Sequence, residues 1–213
     1  MMLPTGYVNS LSLLLPVIEA LAIRHVKVVF QSVLGVDADG SNPYRQVELA
    51  LEHSGTRHVI LRPNWFADNF HTFWRTGIQD GVISLPADDG KSSFIDARDI
   101  AASATATLIS NRFDGRTFNL TGPEPLGYED AAAIISDTIR KPIRYNAIDD
   151  NAFIDMLLRW NVPKEYASFL ASIFYPVRQG WTALVTDSVA RLTKAQPRTL
   201  HTYAADYAKL LQA

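Results

Sequence analysis

The chain contains no cysteine in its 213 residues. Disulfides, zinc–thiolate centres and thiol nucleophiles are therefore excluded, and the composition fits a reducing, cytoplasmic setting. A basic tract is also lacking: 20 Lys and Arg stand against 22 Asp and Glu, for a formal net charge of −2. Direct nucleic-acid binding, which rests on clustered positive charge meeting phosphates, is not supported, and neither is attraction to an anionic membrane. The longest apolar run, Leu11 to Ile23, is interrupted by Pro16 and Glu19. It falls short of the roughly 20 apolar residues that span a bilayer. No Lys or Arg precedes Arg24, so the run lacks the basic flank of a signal peptide. It reads as a buried helix, and the sequon Asn119-Leu120-Thr121 as an accidental match.

Glycine is scarce, at 11 residues, and no Gly-x-Gly occurs. Gly90-Lys91-Ser92 resembles the end of a phosphate loop, but Leu85 stands where that motif needs its first glycine; a surface turn accounts for it. Asp37, Asp39 and Glu48 have the spacing of a calcium loop, but Asn42 replaces its central glycine and Pro43 follows. The five histidines form no His-x-x-x-His pair, so a helical metal site is not expected. His71 alone lies near a candidate cleft.

What is present is ordinary globular material, 47% hydrophobic and 20% charged, enough for one large domain or a domain with a small lobe. Met1-Met2-Leu3 reads as the tail of a strand running into the turn Pro4-Thr5-Gly6. A helix is predicted from about Ser10 to Ile23, capped by Asn9 or Ser10, and the β-branched run Val26 to Phe30 reads as a buried parallel strand. A polar loop, Gly35 to Pro43, precedes a helix from Tyr44 to His53 that ends at Ser54-Gly55. Strands are predicted at His58 to Leu61, Ser93 to Ile95 and Phe118 to Leu120, with a helix capped by Asp99 running to Leu108. Strands alternating with helices predict an α/β parallel sheet. After Pro125 the pattern turns helical, at Tyr128 to Arg140, Asn151 to Trp160, Lys164 to Ile173 and Thr199 to Leu211, with one strand signal at Ile143 to Tyr145. The expected division is residues 1–125 as a sheet domain and 126–213 as a mainly helical lobe.

Three strings carry a family likeness when taken in order. They are Val47-Glu48-Leu49-Ala50-Leu51-Glu52-His53-Ser54-Gly55 leading into Val59-Ile60-Leu61-Arg62-Pro63-Asn64-Trp65-Phe66-Ala67-Asp68-Asn69-Phe70, then Phe94-Ile95-Asp96-Ala97-Arg98-Asp99-Ile100, then Phe118-Asn119-Leu120-Thr121-Gly122-Pro123-Glu124-Pro125. Over nearly the whole chain the sequence resembles NmrA-like atypical short-chain dehydrogenases/reductases (SDRs), including NAD(P)H:quinone-oxidoreductase-like members. The resemblance implies a Rossmann-like sheet that binds NADP or NAD, with NADPH favoured, and a C-terminal lobe over a small-molecule substrate. Ligands in such folds lie at the carboxyl ends of the strands. By the resemblance these are Pro4, Thr5 and Gly6, then Ser32 and Val33, then Pro63, Asn64, Trp65 and Phe66, lining the nicotinamide half of a cofactor cleft.

The family opens with a strand, a glycine-rich turn and a helix whose N-terminus receives the pyrophosphate. Met1 falls at the family's fourth strand. By the resemblance roughly three strand–helix units, on the order of 70 residues, are then missing. With them go the pyrophosphate loop and the residue that selects NAD from NADP. Nor is there a Tyr-x-x-x-Lys pair, in which lysine lowers a tyrosine pKa for proton transfer. The lysine common four residues before the helix glutamate is replaced by Tyr44, with Arg45 beside it.

Ser32 matches the SDR serine and is the first catalytic candidate, set against a hydroxyl that merely satisfies nearby backbone. Tyr44 is the second, set against simple packing on the sheet. Asp96, Arg98 and Asp99 read as cap and ion-pair residues. Trp65, Phe66, Phe70, Phe73 and Trp74 could stack on a flat quinone or form core. Three functions remain open: an NAD(P)H-dependent oxidoreductase acting on a quinone-like or carbonyl compound, a non-enzymatic dinucleotide-sensing regulator with a protein partner, or an inactive fragment. An edge exposed by missing strands would favour homodimer formation or aggregation.

Overall fold

The structure is a computed structural model that describes residues 9–212. The expectations for Met1 to Leu3 and for Pro4, Thr5 and Gly6 lie outside the described residues. The described residues divide into two compact units: residues 9–64, 98–121 and 186–196 form the first, and residues 65–97, 122–185 and 197–212 the second. This division is interleaved, whereas the sequence reading splits the chain once, at residue 125. The cause is strand pairing, because the segment after residue 97 returns to the first sheet through its last strand.

The first unit is built on a parallel sheet of three strands, β1 (Val28–Gln31), β2 (His58–Pro63) and β5 (Arg116–Leu120), in the order β1-β2-β5. Register is continuous: Val28 faces His58 and Leu61 faces Phe118. The expected strand at Val26 to Phe30 begins two residues later and extends to Gln31. Helix α1 (Ser10–Ile23) has the predicted bounds, and its cap is Asn9, whose Oδ1 accepts the Ser12 amide at 3.1 Å. Helix α2 (Pro43–His53) starts on a proline, whose missing N–H costs nothing in a first turn. Gly55 then takes φ +72°, a conformation that strains any side chain. Leu14 and Ile18 of α1, Val28 and Phe30 of β1, Val47 and Leu51 of α2 and Ile60 of β2 form the core. Each such side chain contributes about 1.5–3 kcal/mol by leaving water.

The second unit holds a parallel strand pair, β3 (Val82–Leu85) with β7 (Arg144–Ala147), and a short antiparallel pair, β4 (Lys91–Ser92) with β6 (Leu126–Gly127). Around them lie α3 (Arg75–Gln79), α5 (Tyr128–Ile139), α6 (Asp150–Arg159), α7 (Lys164–Ser172), α8 (Tyr175–Arg178), α10 (Leu200–Asp206) and α11 (Ala208–Gln212). Its core is aromatic at the centre, with Phe70, Phe94, Tyr128, Phe153 and Phe174 joined by Ile78, Ile83 and Ile135. Asp130 accepts the Gly127 amide at 3.0 Å at the start of α5, and Asp149 accepts the Ala152 amide at 2.8 Å at the start of α6.

Several expectations are corrected. Ser93 to Ile95 is not a regular strand: Ile95 forms a single parallel bridge with Phe66, and the paired strand precedes it at Lys91–Ser92. Asp99 does not cap helix α4 (Ala97–Leu108) but lies inside its first turn, while Asp68 Oδ2 accepts the Ala97 amide at 2.9 Å. The pattern from Thr199 to Leu211 is two helices, α10 and α11, broken at Tyr207. The remaining helix, α9 (Ser188–Thr193), lies in the first unit.

Candidate functional site

In the first unit the carboxyl ends of the parallel strands are stitched together beyond the regular ladder. Ser32 donates its amide to the Leu61 carbonyl at 2.7 Å, Leu34 to Pro63 at 3.0 Å, and Asn64 to Leu120 at 2.9 Å. Ser32 is only 2% exposed, yet its hydroxyl has no hydrogen bond among the described residues. An unsatisfied buried hydroxyl costs about 1–3 kcal/mol. Val33 is exposed, and Pro63 and Asn64 are buried. Tyr44 opens α2 with its amide on Asn42 Oδ1 at 2.9 Å, and its half-buried ring packs against the first unit's core.

Beside Ser32 lies a charged network that sequence reasoning missed. Glu48 of α2 is fully buried. Arg62 of β2 meets it at two points, Nε to Oε1 at 2.8 Å and Nη2 to Oε2 at 2.6 Å. Arg45 donates to Glu48 Oε2 at 2.8 Å and to Glu52 Oε1 at 2.9 Å, and Arg62 also reaches Asp37 at 2.6 Å. Burial alone would raise the Glu48 pKa. The Arg62 hydrogen bonds, the nearby Ser32 hydroxyl and Arg45 outweigh it and hold the carboxyl below the ordinary value of 4.5. The network thus keeps a full negative charge next to the end of β1. Two signals in the sequence were available: a glutamate beside Val47 on the apolar face of a helix, and an arginine ending an apolar strand. Charges so placed need partners.

In the second unit, Trp65 and Phe66 follow directly. Trp65 stacks on Trp74 with centroids 5.9 Å apart and lies 4.9 Å from Phe174. Its backbone carbonyl accepts the Ile95 amide at 2.8 Å, and Phe66 pairs with Ile95. Phe70 and Trp74 belong to the same aromatic group, whereas Phe73 is largely exposed. His71 Nδ1 is hydrogen-bonded to the Tyr203 hydroxyl, and the imidazole stacks on Tyr207 at 4.9 Å and 9°. Burial, with Asp68 nearby, pushes the Tyr203 phenol far above its ordinary range. Asp96 and Asp99 are buried. Gly90 packs against the Val177 carbonyl, where a methyl group would collide. This explains the glycine without a phosphate.

No helix among the described residues is long and apolar enough to cross a membrane. No family model matches the chain. An uncharacterized oxidoreductase of Bacillus subtilis, YesF, is 33% identical over 212 residues, which cover 96% of this chain and 72% of YesF. The chain belongs to the NmrA-like atypical SDR family. The prestalk A differentiation protein A of Dictyostelium discoideum is 30% identical over 191 residues, 89% of this chain and 62% of that protein. The chain thus spans about two thirds of the length of these two relatives.

Solved structures confirm the Rossmann-like α/β fold. The NADPH-dependent quinone oxidoreductase QOR2 of Escherichia coli, complexed with NADPH, superposes with a TM-score of 0.86 at 20% identity, covering 95% of this chain and 73% of QOR2. NmrA, a negative transcriptional regulator in complex with NAD, gives a TM-score of 0.69 at 16% identity, covering 92% of this chain and 70% of NmrA.

Proposed function

We propose that the protein is an NAD(P)H-dependent oxidoreductase that reduces a quinone-like or other carbonyl-bearing small molecule. The observation that carries this reading is Ser32, a buried hydroxyl with no hydrogen bond among the described residues, at the carboxyl end of a parallel strand. That is where ligands sit in doubly wound sheets. A nicotinamide carboxamide or a substrate carbonyl would supply the missing hydrogen bond. Membership of a family that includes YesF, and the fold shared with the NADPH complex of QOR2, support the same reading.

The residues fit one half of a dinucleotide. Ser32, Val33, Pro63 and Asn64 would line the nicotinamide side within the first unit. The pyrophosphate half is assigned to no residue, because no Gly-x-Gly occurs in the sequence. Bound NAD(P)H would supply the hydride. The protein's part is to hold the substrate carbonyl at Ser32 and to exclude water. Tyr44, at the start of α2, is the proposed proton donor in the absence of Tyr-x-x-x-Lys. With no cysteine to form a disulfide, the reading carries a cytoplasmic location.

That same missing pair favours a second reading, a dinucleotide-sensing regulator like NmrA in which no substrate is reduced. Calorimetric titration with NADPH, followed by quinone-dependent NADPH oxidation, separates the two. Micromolar binding with turnover supports the enzyme, and binding without turnover supports the sensor. No binding at millimolar NADPH by the folded protein rejects both.

A further inference from the structure

A cleft of about 190 Å³ opens within the second unit between α3, β3 and α6. Phe73, Trp74, Phe153, Met156, Leu157 and Trp160 wall it. Phe153 and Leu157 are buried, whereas Phe73 is 70% and Trp160 55% exposed. Two large rings held in water at the mouth of an apolar cavity are a surface that an aromatic ligand would cover favourably. The floor is set by Gly77, where a Cβ would come 2.6 Å from the Val82 carbonyl oxygen, so α3 lies directly on β3.

The polar chemistry of the cleft is narrow. Ser84 already accepts from Asn146 Nδ2 at 3.1 Å. Asp80 is the one charged side chain in the lining. Its carboxylate has no ion pair or hydrogen bond among the described residues. Lys141, which reaches α3, donates to the Gln79 carbonyl. Aromatic faces and a carboxylate both attract positive charge, the faces through their quadrupole. The volume lies below the roughly 300 Å³ at which drug-sized pockets begin, so the occupant is small.

We propose that this cleft binds a flat aromatic cation of one or two rings, stacked among Phe73, Trp74 and Trp160 with its charge toward Asp80. The proposal goes beyond the dinucleotide reading and does not depend on it, since no residue at the ends of β1 or β2 takes part.

The test is calorimetry without dinucleotide at mildly alkaline pH. It uses three probes of one shape: cationic 1-methylquinolinium, neutral quinoline and anionic 2-naphthoate. The cation should bind roughly tenfold more tightly than quinoline, and 2-naphthoate more weakly than either. Asp80→Asn should erase the preference for the cation while leaving quinoline affinity unchanged. Trp160→Ala should weaken both ligands. Both positions are exposed, so the variants should melt like the parent. Equal affinity for cation and neutral probe, a preference that survives Asp80→Asn, or no binding of any probe at millimolar concentration would overturn the proposal.

Discussion

Arg62 clamps Glu48 at both carboxylate oxygens, at 2.8 and 2.6 Å, across the gap between strand β2 and helix α2. The carboxylate has no exposed surface. Removing one member of such a pair leaves the other charged and buried, with only one partner at the edge of the network, Asp37 for Arg62 or Arg45 for Glu48. Glu48→Ala should therefore destabilise the protein by about 3–5 kcal/mol, and Arg62→Ala by a similar amount. Replacing both by apolar residues of similar size should cost much less than either single change. Urea unfolding of the three variants checks this; additive losses in the double variant would show that the two residues act independently.

The same pair sets a pH dependence. Glu48 has its pKa lowered in the folded state, so the unfolded chain binds the proton more readily. The stability it contributes is fully present above its ordinary value of 4.5 and is lost as pH falls through the lower folded value. In Glu48→Gln the melting temperature should fall less steeply over that acid window than in the parent. Parallel slopes would show that the carboxylate is not held ionised.

Tyr128 lies at the other extreme. Its hydroxyl is fully buried and has no hydrogen bond among the described residues. Burial drives its phenol well above the ordinary range, the neighbouring Ser92 offsetting only part of the effect. Its ring still packs edge-on to Phe94 and Trp74, at 5.4 and 5.5 Å. Tyr128→Phe keeps the ring and removes only the orphan hydroxyl, so stability should be unchanged or rise by about 1 kcal/mol. A loss of more than about 1 kcal/mol in a thermal melt would mean that the hydroxyl has a bonded partner.

Gly122 lies against the Phe94 carbonyl, and a methyl group there would overlap the oxygen. Its amide also donates to the Ser93 carbonyl at 3.1 Å, so the two segments cannot simply move apart. Gly122→Ala should cost about 1–3 kcal/mol, the usual penalty for forcing extra volume into a packed site. Gly40→Ala, where nothing lies within 4 Å, should be nearly neutral and serves as the control in the same denaturation series.

How much of this could be read from residues alone depended on whether the signal was local. Asn9 before an apolar run, and Pro43 and Ser54-Gly55 around a periodic stretch, are punctuation, and α1 and α2 lie within a residue of where those marks put them. β3 was missed because four residues between Gly81 and Pro86 give too short a pattern to distinguish from loop. The break at Tyr207 was missed because apolar spacing continues through α10 into α11. At the candidate site, the resemblance pointed to Ser32, but not to its burial or its missing partner. Glu48 and Arg62 stand 14 residues apart on different elements, so their pairing exists only once helix and strand have packed.

That distinction makes Ser32→Ala the most informative single change. Among the described residues the Ser32 hydroxyl makes no close hydrogen bond that deletion could break, and its polar neighbour is the Glu48 carboxylate, which Arg62 and Arg45 also hold ionised. Stability should therefore stay within about 0.5 kcal/mol or improve, since a buried unsatisfied group is removed. If the hydroxyl is reserved for a ligand, the same change should lower quinone-dependent NADPH oxidation by roughly 10- to 100-fold, the loss of one hydrogen bond that strengthens in the transition state. Ser32→Thr should recover part of that loss. A thermal melt and steady-state kinetics on the same preparations separate the two roles. Lost stability with unchanged specific activity would make Ser32 a structural residue; lost activity in a fully stable protein would tie the hydroxyl to the reaction.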